Sequence, residues 1–492
     1  MKTKLIFILL AGNLLGLCPA MAQAPLASEE VHYANEVGGE VIVRNQNDIV
    51  LVICSKAVDG SNDHTFMVRS LATGVTQGFT CNLGTMFSQP TDNYIIKDMR
   101  IFDRKCYFCG MRERRISEPL YDVYGNILES GLRYEGFIGS FYTSSINAGG
   151  SLEMFAIPET DSLTRMVVHG DNPSAYRTFL MAIGSLSDNS HSPCIVELME
   201  ELYSGRWVWT ERIVRPIASD ISESFTDIIL TEGLLEVASK LNPDDNNPEN
   251  RSHYIFRLHE TKRDGFYFMS VVPHTTTNVL QYNTRTYGYA KCYRQSDEPV
   301  RLSPLNYDNF CVAFASDYYS NRQGGPVAFK MNSAETMIHA QYQDNDVQCH
   351  IKDIVSSSPN QETALLCYSN TQTNGIIRLS RWPNVSGYST IEWMGKKILS
   401  LDNIFGQSIV AGCTFSNNQI GLMQQDINAL HNTISCFNIE FNSFESLSPI
   451  KPETEQCQWE CVLNKGFIEA AQPFQPRSMV AQTICEIENT NQ

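Results

Sequence analysis

Two cysteines three positions apart, Cys106 and Cys109 in "KCYFCG", have the types and spacing that could do chemistry. In a thioredoxin-like site such a pair begins a helix, whose N-terminus lowers the thiol pKa. Here the cysteines flank Tyr107 and Phe108, and this aromatic stretch is typical of a strand. Residues i and i+3 of a strand point to opposite faces, so the thiols could not share a metal ion or a disulfide without a bulge. The spacing favours two buried thiols over a redox or zinc site.

A second pair, Cys457 and Cys461 in "CQWEC", would share one face of a helix or a strand. Two interpretations stay open for it. One is a disulfide to a distant cysteine such as Cys436 or Cys485, and the other is a pair of buried thiols. Fourteen of the 15 cysteines lie after residue 22, an even number that permits complete pairing without establishing it.

Five aspartates begin similar segments of the chain: Asp98, Asp171, Asp227, Asp353 and Asp402. An aspartate at the start of a strand can accept hydrogen bonds from backbone N–H groups of a preceding turn. The alternative is a ring of carboxylates at one mouth of the fold, binding a cation or a basic ligand. Because repeated positions in repeat proteins mostly serve the fold, we favour the structural role.

The remaining motifs identify no catalytic residue. His259 and Glu260 lack the second histidine of a zincin helix, and neither a G-x-S-x-G elbow nor a Walker phosphate loop occurs. Two aromatic clusters could stack on carbohydrate, although core packing is the favoured interpretation: Trp207 and Trp209, and Trp382, Tyr388 and Trp393. The sequence therefore predicts no metal site and no cofactor, and it leaves catalytic and ligand-binding residues unassigned.

A degenerate repeat supplies the elements that would position these residues. Residues 98–109, 171–182, 227–238 and 402–413 each run from Asp to Cys or Ala, mostly as apolar run, turn, apolar run. Residues 353–367 add three positions in the turn. The repeat places a small residue at seven equivalent sites: Cys54, Cys109, Ala182, Ala238, Ala315, Cys367 and Cys413. Small side chains suit close packing, so the four cysteines among them are predicted to be buried free thiols.

An alternating segment typical of a half-buried strand follows each of these sites. The segments are "HTFMVRSL" from 64, "GFIGSF" from 136, "CIVELME" from 194, "HYIFRLHE" from 253, "GPVAFKM" from 325, "GIIRLSR" from 375 and "QIGLMQQ" from 419. Four strands in a unit of about 40–50 residues are typical of a β-propeller blade. We therefore predict an all-β propeller of seven blades, with six and eight as alternatives, and insertions at 111–135 and 241–252.

The ends of the chain are expected to close this ring. The stretch "GFIEAAQPFQPRSMVAQTICEI" near the C-terminus reads as a further half-unit that pairs with the N-terminal "GGEVIVRNQ". Such pairing would hide strand edges that an open ring exposes.

The first 22 residues read as a secretory signal peptide. Lys2 and Lys4 precede the apolar run "LIFILLAGNLLGL", and Ala20 and Ala22 complete an A-x-A cleavage pattern. Lipidation at Cys18 is the weaker alternative, because a large residue, Leu17, precedes it. We predict secretion across the inner membrane to the periplasm, the cell surface or the medium, and one propeller-like domain over residues 23–492.

The charge excludes one class of partner. The chain carries 54 acidic residues against 37 lysines and arginines, a net charge of −17 that becomes −19 without residues 1–22. An acidic surface repels phosphate backbones, and the short run "RERR" at 112–115 is predicted to be a solvated loop. We expect no nucleic-acid partner, no integral membrane segment and a monomer.

The stretch "DMRIFDRKCYFCG", followed by "GFIGSF", resembles segments of uncharacterised secreted β-propeller-like proteins of Bacteroidetes bacteria. The resemblance covers residues 95–145. It implies a propeller-like fold and an envelope or extracellular location, and it carries over no catalytic residue.

These observations favour a secreted, non-enzymatic scaffold that binds a protein or glycan partner through its loops. The alternative is a glycan-active hydrolase or lyase with carboxylates near a central channel. A third interpretation is a structural component of the envelope without a small ligand.

Overall fold

The computed structural model describes strands and tight turns between residues 26 and 488. Residues 1–25, which include the predicted signal peptide, residues 489–492 and most connecting loops, the longest being 233–253, lie outside the described residues. For most strands between residues 254 and 342 only the backbone is described. Apart from two 3-10 helices, Leu83–Thr85 and Thr143–Ile146, every described element is a strand, so the predicted all-β class is confirmed. No helix in the described ranges is long and apolar enough to cross a membrane.

The described strands form seven antiparallel sheets, here numbered 1 to 7. Sheet 1 contains β2 (Glu40–Gln46), β3 (Ile49–Ser55), β4 (Asp63–Ser70) and β5 (Thr76–Asn82). Sheet 2 contains β6 (Asn93–Phe102), β7 (Lys105–Tyr121), β8 (Ile127–Tyr142) and β9 (Gly150–Ile157). Sheet 3 contains β10 (Thr160–Gly170), β11 (Arg177–Leu186), β12 (Pro193–Tyr203) and β13 (Arg206–Ile217).

Sheets 4 to 7 repeat this plan. Sheet 4 contains β14 (Ser222–Glu232), β15 (Tyr254–Lys262), β16 (Gly265–Val272) and β17 (Asn283–Tyr289), and sheet 5 contains β18 (Arg294–Gln295), β19 (Arg301–Asn306), β20 (Asn309–Tyr319), β21 (Arg322–Gln323), β22 (Pro326–Met331) and β23 (Met337–Tyr342). Sheet 6 contains β24 (Cys349–Ser356), β25 (Ala364–Asn370), β26 (Asn374–Leu379) and β27 (Tyr388–Glu392). Sheet 7 contains β28 (Lys396–Ile404), β29 (Ser408–Phe415), β30 (Gln419–Asp426) and β1 (Leu26–Val37).

One strand of each sheet contacts its counterparts in the two neighbouring sheets, and we call these seven the inner strands. They are β2, β6, β10, β14, β19, β24 and β28. The series of contacts runs through the sheets in chain order and returns from β28 to β2. The apolar core lies between successive sheets, with separate clusters between sheets 7 and 1, sheets 1 and 2, and sheets 2 and 3.

The C-terminal residues add one further strand to every sheet. We call these seven strands the belt: β31 (Asn438–Asn442), β32 (Glu445–Leu447), β33 (Pro452–Gln456), β34 (Gln458–Val462), β35 (Ile468–Phe474), β36 (Arg477–Ser478) and β37 (Ala481–Glu488). The belt visits sheets 6, 5, 4, 3, 2 and 1 in that order and ends on sheet 7. It therefore passes every sheet once, in the direction opposite to the rest of the chain.

The chain ends differ in detail from the prediction. The N-terminal strand that pairs with the C-terminal β37 is β1, which lies between β30 and β37. The segment "GGEVIVRNQ" contains β2, which pairs instead with β3. The expected eighth half-unit is also wrong for the described residues, because its strands are members of the belt and join sheets 2, 1 and 7.

A bulge on the inner strand recurs in sheets 2, 3, 4, 6 and 7. In sheet 2 the register shifts between Ile96 and Asp98, where one extra residue faces β7. The bulge brings the inner strand so close that a Cβ on Gly110 would lie 2.0 Å from the backbone oxygen of Ile95. A bulge bends a strand and re-aims the side chain that follows it. In each of the five sheets that side chain is polar: Asp98, Arg165, Asp227, Asp353 or Ser400.

Three positions of the predicted repeat are wrong. In sheet 7, Ser400 follows the bulge and lies opposite Gly412, whereas the repeat predicted Asp402 opposite Cys413. The strand paired with β14 is β15, so His259 rather than Ala238 lies opposite Asp227. In sheet 3, Arg165 follows the bulge at the position expected for Asp171, and Asp171 itself lies outside the described residues. All seven predicted alternating segments contain strands, as expected: β4, β8, β12, β15, β22, β26 and β30.

Candidate functional site

The polar residues that follow the inner-strand bulges meet at the centre of the fold. Together with Arg44 of β2 and Arg301 of β19 they form a set that we call the central network: Arg44, Asp98, Arg165, Asp227, Arg301, Asp353 and Ser400. Basic and acidic residues alternate from sheet 1 to sheet 6, and a serine follows in sheet 7. All but Arg301, which is partly buried, are nearly inaccessible to solvent.

Arg44 binds groups of three other sheets. Its Nη2 donates to Asp98 Oδ1 at 2.8 Å in sheet 2, and its Nη1 lies 3.4 Å from Asp353 Oδ2 in sheet 6. Nη1 also donates to Ser400 Oγ at 3.1 Å in sheet 7, and Nε donates to the Met99 backbone oxygen at 2.9 Å. A planar guanidinium with five N–H donors suits such convergence better than a lysine would.

Asp98 accepts hydrogen bonds from its own strand and from sheet 3. Arg100 Nη1 donates to its Oδ1 at 3.1 Å, and the Met166 backbone N–H donates to its Oδ2 at 3.0 Å. Arg165 lies 3.5 Å from Asp98 and also 4.0 Å from Asp353, three sheets further along the series. Arg165 therefore spans the centre, which charged side chains occupy.

Asp353 repeats this pattern on the far side. Its Oδ2 accepts bonds from Ser400 Oγ and from the Leu401 backbone N–H, each at 3.2 Å. Its Oδ1 accepts the Ile354 backbone N–H at 3.1 Å. Asp227 likewise accepts the Ile228 N–H, and Asp402 accepts the Asn45 N–H of the neighbouring sheet. The aspartates thus accept backbone N–H groups, but these belong to the following residue or to a neighbouring sheet, not to a preceding turn as the sequence predicted.

The surroundings keep the acids ionised. Burial alone would raise the pKa of Asp98, but the charges of Arg100, Arg44 and Arg165 outweigh it and hold that pKa well below its usual range. The pKa of Asp353 is lowered in the same way, against burial, by Arg44, Arg165 and Arg301. A carboxyl group with a lowered pKa cannot serve as a proton donor near neutral pH.

The arginines of the network differ in the direction in which their pKa values are shifted. Burial alone would lower the pKa of Arg44, but Asp98, Asp353 and Asp402 raise it above its ordinary value. For Arg301, burial and then the charge of Arg165 lower the pKa from 12.5 to about 10. The charged form of Arg44 is therefore favoured by its surroundings, whereas that of Arg301 is opposed.

The sequence analysis singled out the acids of this network and missed its bases. Arg44, Arg165 and Arg301 occur once each in "VIVRNQ", "SLTRMVV" and "VRLSP", where nothing distinguishes them from surface arginines. Their signal is positional. The register places Arg165 directly after a bulge, where sheets 2, 4 and 6 place an aspartate.

A second buried polar cluster joins sheets 2 and 3. Lys105 Nζ donates to Glu200 Oε1 at 2.8 Å, and the Tyr107 hydroxyl donates to Glu200 Oε2 at 3.0 Å. Burial and then the charge of Glu200 raise the pKa of Tyr107. Lys105 Nζ also lies 5.4 Å from the centre of the Tyr107 ring and 5.2 Å from that of Tyr142. This cluster pairs every charge that it buries, as a structural contact between sheets requires.

The two cysteines of "KCYFCG" lie on opposite faces of β7, as predicted. Cys106 packs in the cluster between sheets 1 and 2, and Cys109 packs in that between sheets 2 and 3. Both are free and fully buried, and burial raises the pKa of each thiol well above its ordinary value. A thiolate at neutral pH is thereby disfavoured, and with it redox or metal chemistry at this pair.

Other predicted residues are placed only in part. Cys413 is buried and outside any disulfide, as expected, and Cys485 is disulfide-bonded. The side chains of these predicted residues lie outside the described ones: Cys54, Cys367, Cys457, Cys461, Trp207, Trp209, Trp382, Tyr388 and Trp393. Across the described part of the chain, no three His, Cys, Asp or Glu side chains are placed to hold a metal ion.

Comparison with known proteins adds little. No family model matches the chain, and no curated protein sequence matches it. Among solved structures, the chain is similar to the β-propeller domain of the Trilobed protease from Pyrococcus furiosus, described as having an open velcro topology. The identity is 8%, with 83% of this chain and 96% of that chain covered and a TM-score of 0.36. A likeness of this size carries no argument about activity.

Proposed function

We propose that the protein is a secreted, non-enzymatic seven-bladed β-propeller that binds a protein or glycan partner through its peripheral loops. The observation that carries the proposal is the central network, in which ionised aspartates and arginines neutralise each other where a catalytic propeller would place its acids. The three arginines and three aspartates of the network also interact with two charged neighbours, Arg100 and Asp402.

The arrangement of sheets supports the propeller architecture. Each of the seven sheets would be one blade, and the cyclic contacts of the inner strands would surround the axis. β1 would complete the last blade beside β30, and the belt would hold all seven blades from outside. Radial repetition of this kind leaves only short edges exposed.

The rival function, a glycan hydrolase or lyase, needs a carboxylic acid that is protonated at the working pH and a water-accessible space beside it. Asp98 and Asp353 meet neither need, because arginines lower their pKa values and both are buried. The central carboxylates therefore support architecture rather than turnover, and recognition is left to surface segments.

The test measures binding and turnover on the same ligands. The mature protein is applied to an array of neutral and anionic glycans and to a displayed peptide library, and the retained glycans are then assayed for release of reducing or unsaturated sugars. We expect retention of ligands of one class without any product. Product formation that is lost in Asp98→Asn or Asp353→Asn would contradict the proposal. Secretion is tested separately, by a mature N-terminus at Gln23.

A further inference from the structure

Two strands of sheet 2 extend beyond their neighbours. β6 pairs with β7 only as far as Glu113, and β9 pairs with β8 only from Gly136 onward. In the described structure, residues 114–121 of β7 and 127–135 of β8 pair with each other alone. We call this two-stranded extension the arm. At about 3.3 Å per residue, eight residues form a ribbon of roughly 25 Å. It occupies the region where the sequence predicted an insertion. The run at 112–115 that was predicted to be a solvated loop is part of strand β7, and Arg112 is buried.

One face of the arm begins with a crowded positive cluster. Glu135, which is fully buried, accepts bonds from Arg112 Nε at 2.9 Å and from Arg114 Nη1 at 3.3 Å. Arg133 Nε lies 3.6 Å from the same carboxylate, and its Nη2 donates to the Pro158 backbone oxygen at 2.8 Å. Three guanidinium groups therefore surround one carboxylate among the described side chains, in a chain whose net charge is strongly negative.

Two of these arginines face each other. Arg114 and Arg133 are direct partners in the register of the arm, and 27% and 29% of their side chains are exposed. Like charges directly opposite on neighbouring strands destabilise a sheet. A further carboxylate at this place would reduce the repulsion and could be held in charge-assisted hydrogen bonds.

The other face of the arm carries two exposed apolar side chains at the same level, beside Glu113 and Arg115. Leu132 pairs with Arg115 and Tyr134 with Glu113, so both side chains point away from the Arg114–Arg133 pair. Leu132 is 48% exposed and Tyr134 37% exposed. The Arg114–Arg133 pair and two exposed apolar side chains thus lie on opposite faces of a ribbon only one strand pair wide.

We propose that the arm is the docking site for an extended segment of a partner protein in which acidic and apolar residues alternate. Side chains of a strand alternate between its faces, so such a segment lying alongside the arm would place carboxylates near Arg114 and Arg133 and apolar groups near Leu132 and Tyr134. A glycan resting on one face would meet only one of these two sets. The inference rests on the proposed function and names its partner.

The probe is a synthetic, end-capped nine-residue peptide that alternates aspartate and valine, labelled for fluorescence anisotropy with the full mature protein. Controls are a lysine–valine peptide and an aspartate–valine peptide with every backbone amide N-methylated, which has no backbone N–H left to donate to the arm. We expect binding of the first peptide only. Arg114→Gln with Arg133→Gln should weaken it at least about tenfold, the effect of losing charge-assisted pairs.

Matched variants separate docking from folding. Lys97→Gln removes an exposed cation of β6 outside the arm and should leave the affinity within about twofold, since a screened surface charge contributes little. Leu132→Ser with Tyr134→Ser should weaken binding without changing its dependence on salt. Each variant is compared with the wild type in thermal midpoint, and Arg114→Lys replaces the double variant if that one does not fold.

Three results would overturn the inference. The first is that the aspartate–valine peptide does not bind at millimolar concentration. The second is that the lysine–valine peptide binds with the same affinity as the aspartate–valine peptide, and the third is that the arginine variants do not change the affinity. Binding of dextran sulfate with the same loss in the arginine variants, but no peptide binding, would assign the site to an anionic glycan instead. Failure of the arm alone leaves the scaffold function standing if the arrays retain another ligand, whereas turnover of a glycan overturns that function whatever the arm binds.

Discussion

Arg44 and Asp98 form a 2.8 Å ion pair between the inner strands of sheets 1 and 2, although 54 positions separate them in the chain. Both side chains are buried, and each has further partners in other sheets. Neither charge could be left alone at this place without a large desolvation cost. The pair therefore couples the stability of separate sheets.

Removing one partner of this pair should destabilise the protein strongly. For Asp98→Asn and for Arg44→Gln we expect a loss of about 3–5 kcal/mol in the free energy of unfolding, because each leaves an uncompensated buried charge. Urea denaturation followed by tryptophan fluorescence measures the change. Arg301→Gln is the matched control. Because the surroundings of Arg301 oppose its charged form, removing that charge should lower the free energy of unfolding clearly less than Arg44→Gln does. Equal losses for Arg44→Gln and Arg301→Gln would contradict this account.

The aspartates of the central network should make the protein sensitive to acid. The folded-state pKa values of Asp98 and Asp353 lie below the unfolded value of about 3.9, so the contribution of these two residues is complete above that value and is lost as the pH falls below it. We expect the urea midpoint to fall steeply between about pH 4 and pH 2. The urea midpoint of Asp98→Asn should be lower than that of the wild type at neutral pH and should fall less steeply with acid. Parallel curves for the variant and the wild type would argue against the network as the cause of acid sensitivity.

The buried thiols should be unreactive until the protein unfolds. Cys106 and Cys109 have raised pKa values because both are buried. We expect iodoacetamide to leave the peptide with both cysteines unlabelled in the native protein and to label it fully in guanidinium chloride, as mass spectrometry would show. Labelling of either cysteine in the native state, or a disulfide between them after mild oxidation, would reinstate a redox role.

How far the sequence predicts this molecule can be judged from particular residues. Strands such as β8 and β12 were predictable because apolar and polar residues alternate within them, and alternation is a local property. The opposite orientations of Cys106 and Cys109 followed from the same rule. The position of Arg165 did not, because a one-residue bulge before it changes which residue faces the centre. Nothing local marks such a bulge apart from the glycine opposite it, Gly184 in this sheet.

The belt was beyond prediction for a different reason. Its strands are short, some of two or three residues, and each pairs with a strand far away in the chain. The pairing of β31 with β27 and of β37 with β1 depends on the assembled sheets. Likewise, Glu135 could not be assigned to Arg112 and Arg114 before the register of the arm was known. Contacts of this kind are decided by topology, which local sequence does not encode.

The belt should contribute to stability through its buried side chains as well as its backbone. Phe474 of β35 stacks on Phe79 of sheet 1 with ring centres 3.8 Å apart, inside the cluster between sheets 1 and 2. Phe474→Ala should therefore cost about 3–5 kcal/mol in the free energy of unfolding, as for other buried phenylalanines. Gln475→Ala, one residue further and exposed, is the control and should change it by less than about 0.5 kcal/mol.

Truncation tests whether the belt and the ring fold as one unit. A chain ending at residue 437 lacks all seven belt strands and leaves an edge open in every sheet. We expect it to aggregate or to be cleaved rapidly by trypsin, because unpaired edges are templates for association. A chain ending at residue 488 keeps β37 and should behave as the full protein does. If the chain ending at residue 437 stayed monomeric with an unchanged melting midpoint, the belt would be an accessory that the ring does not need. A third outcome is that the chain ending at residue 437 folds, while Phe474→Ala in the full chain still lowers the free energy of unfolding by the expected amount. The belt would then contribute through side-chain packing rather than by covering strand edges.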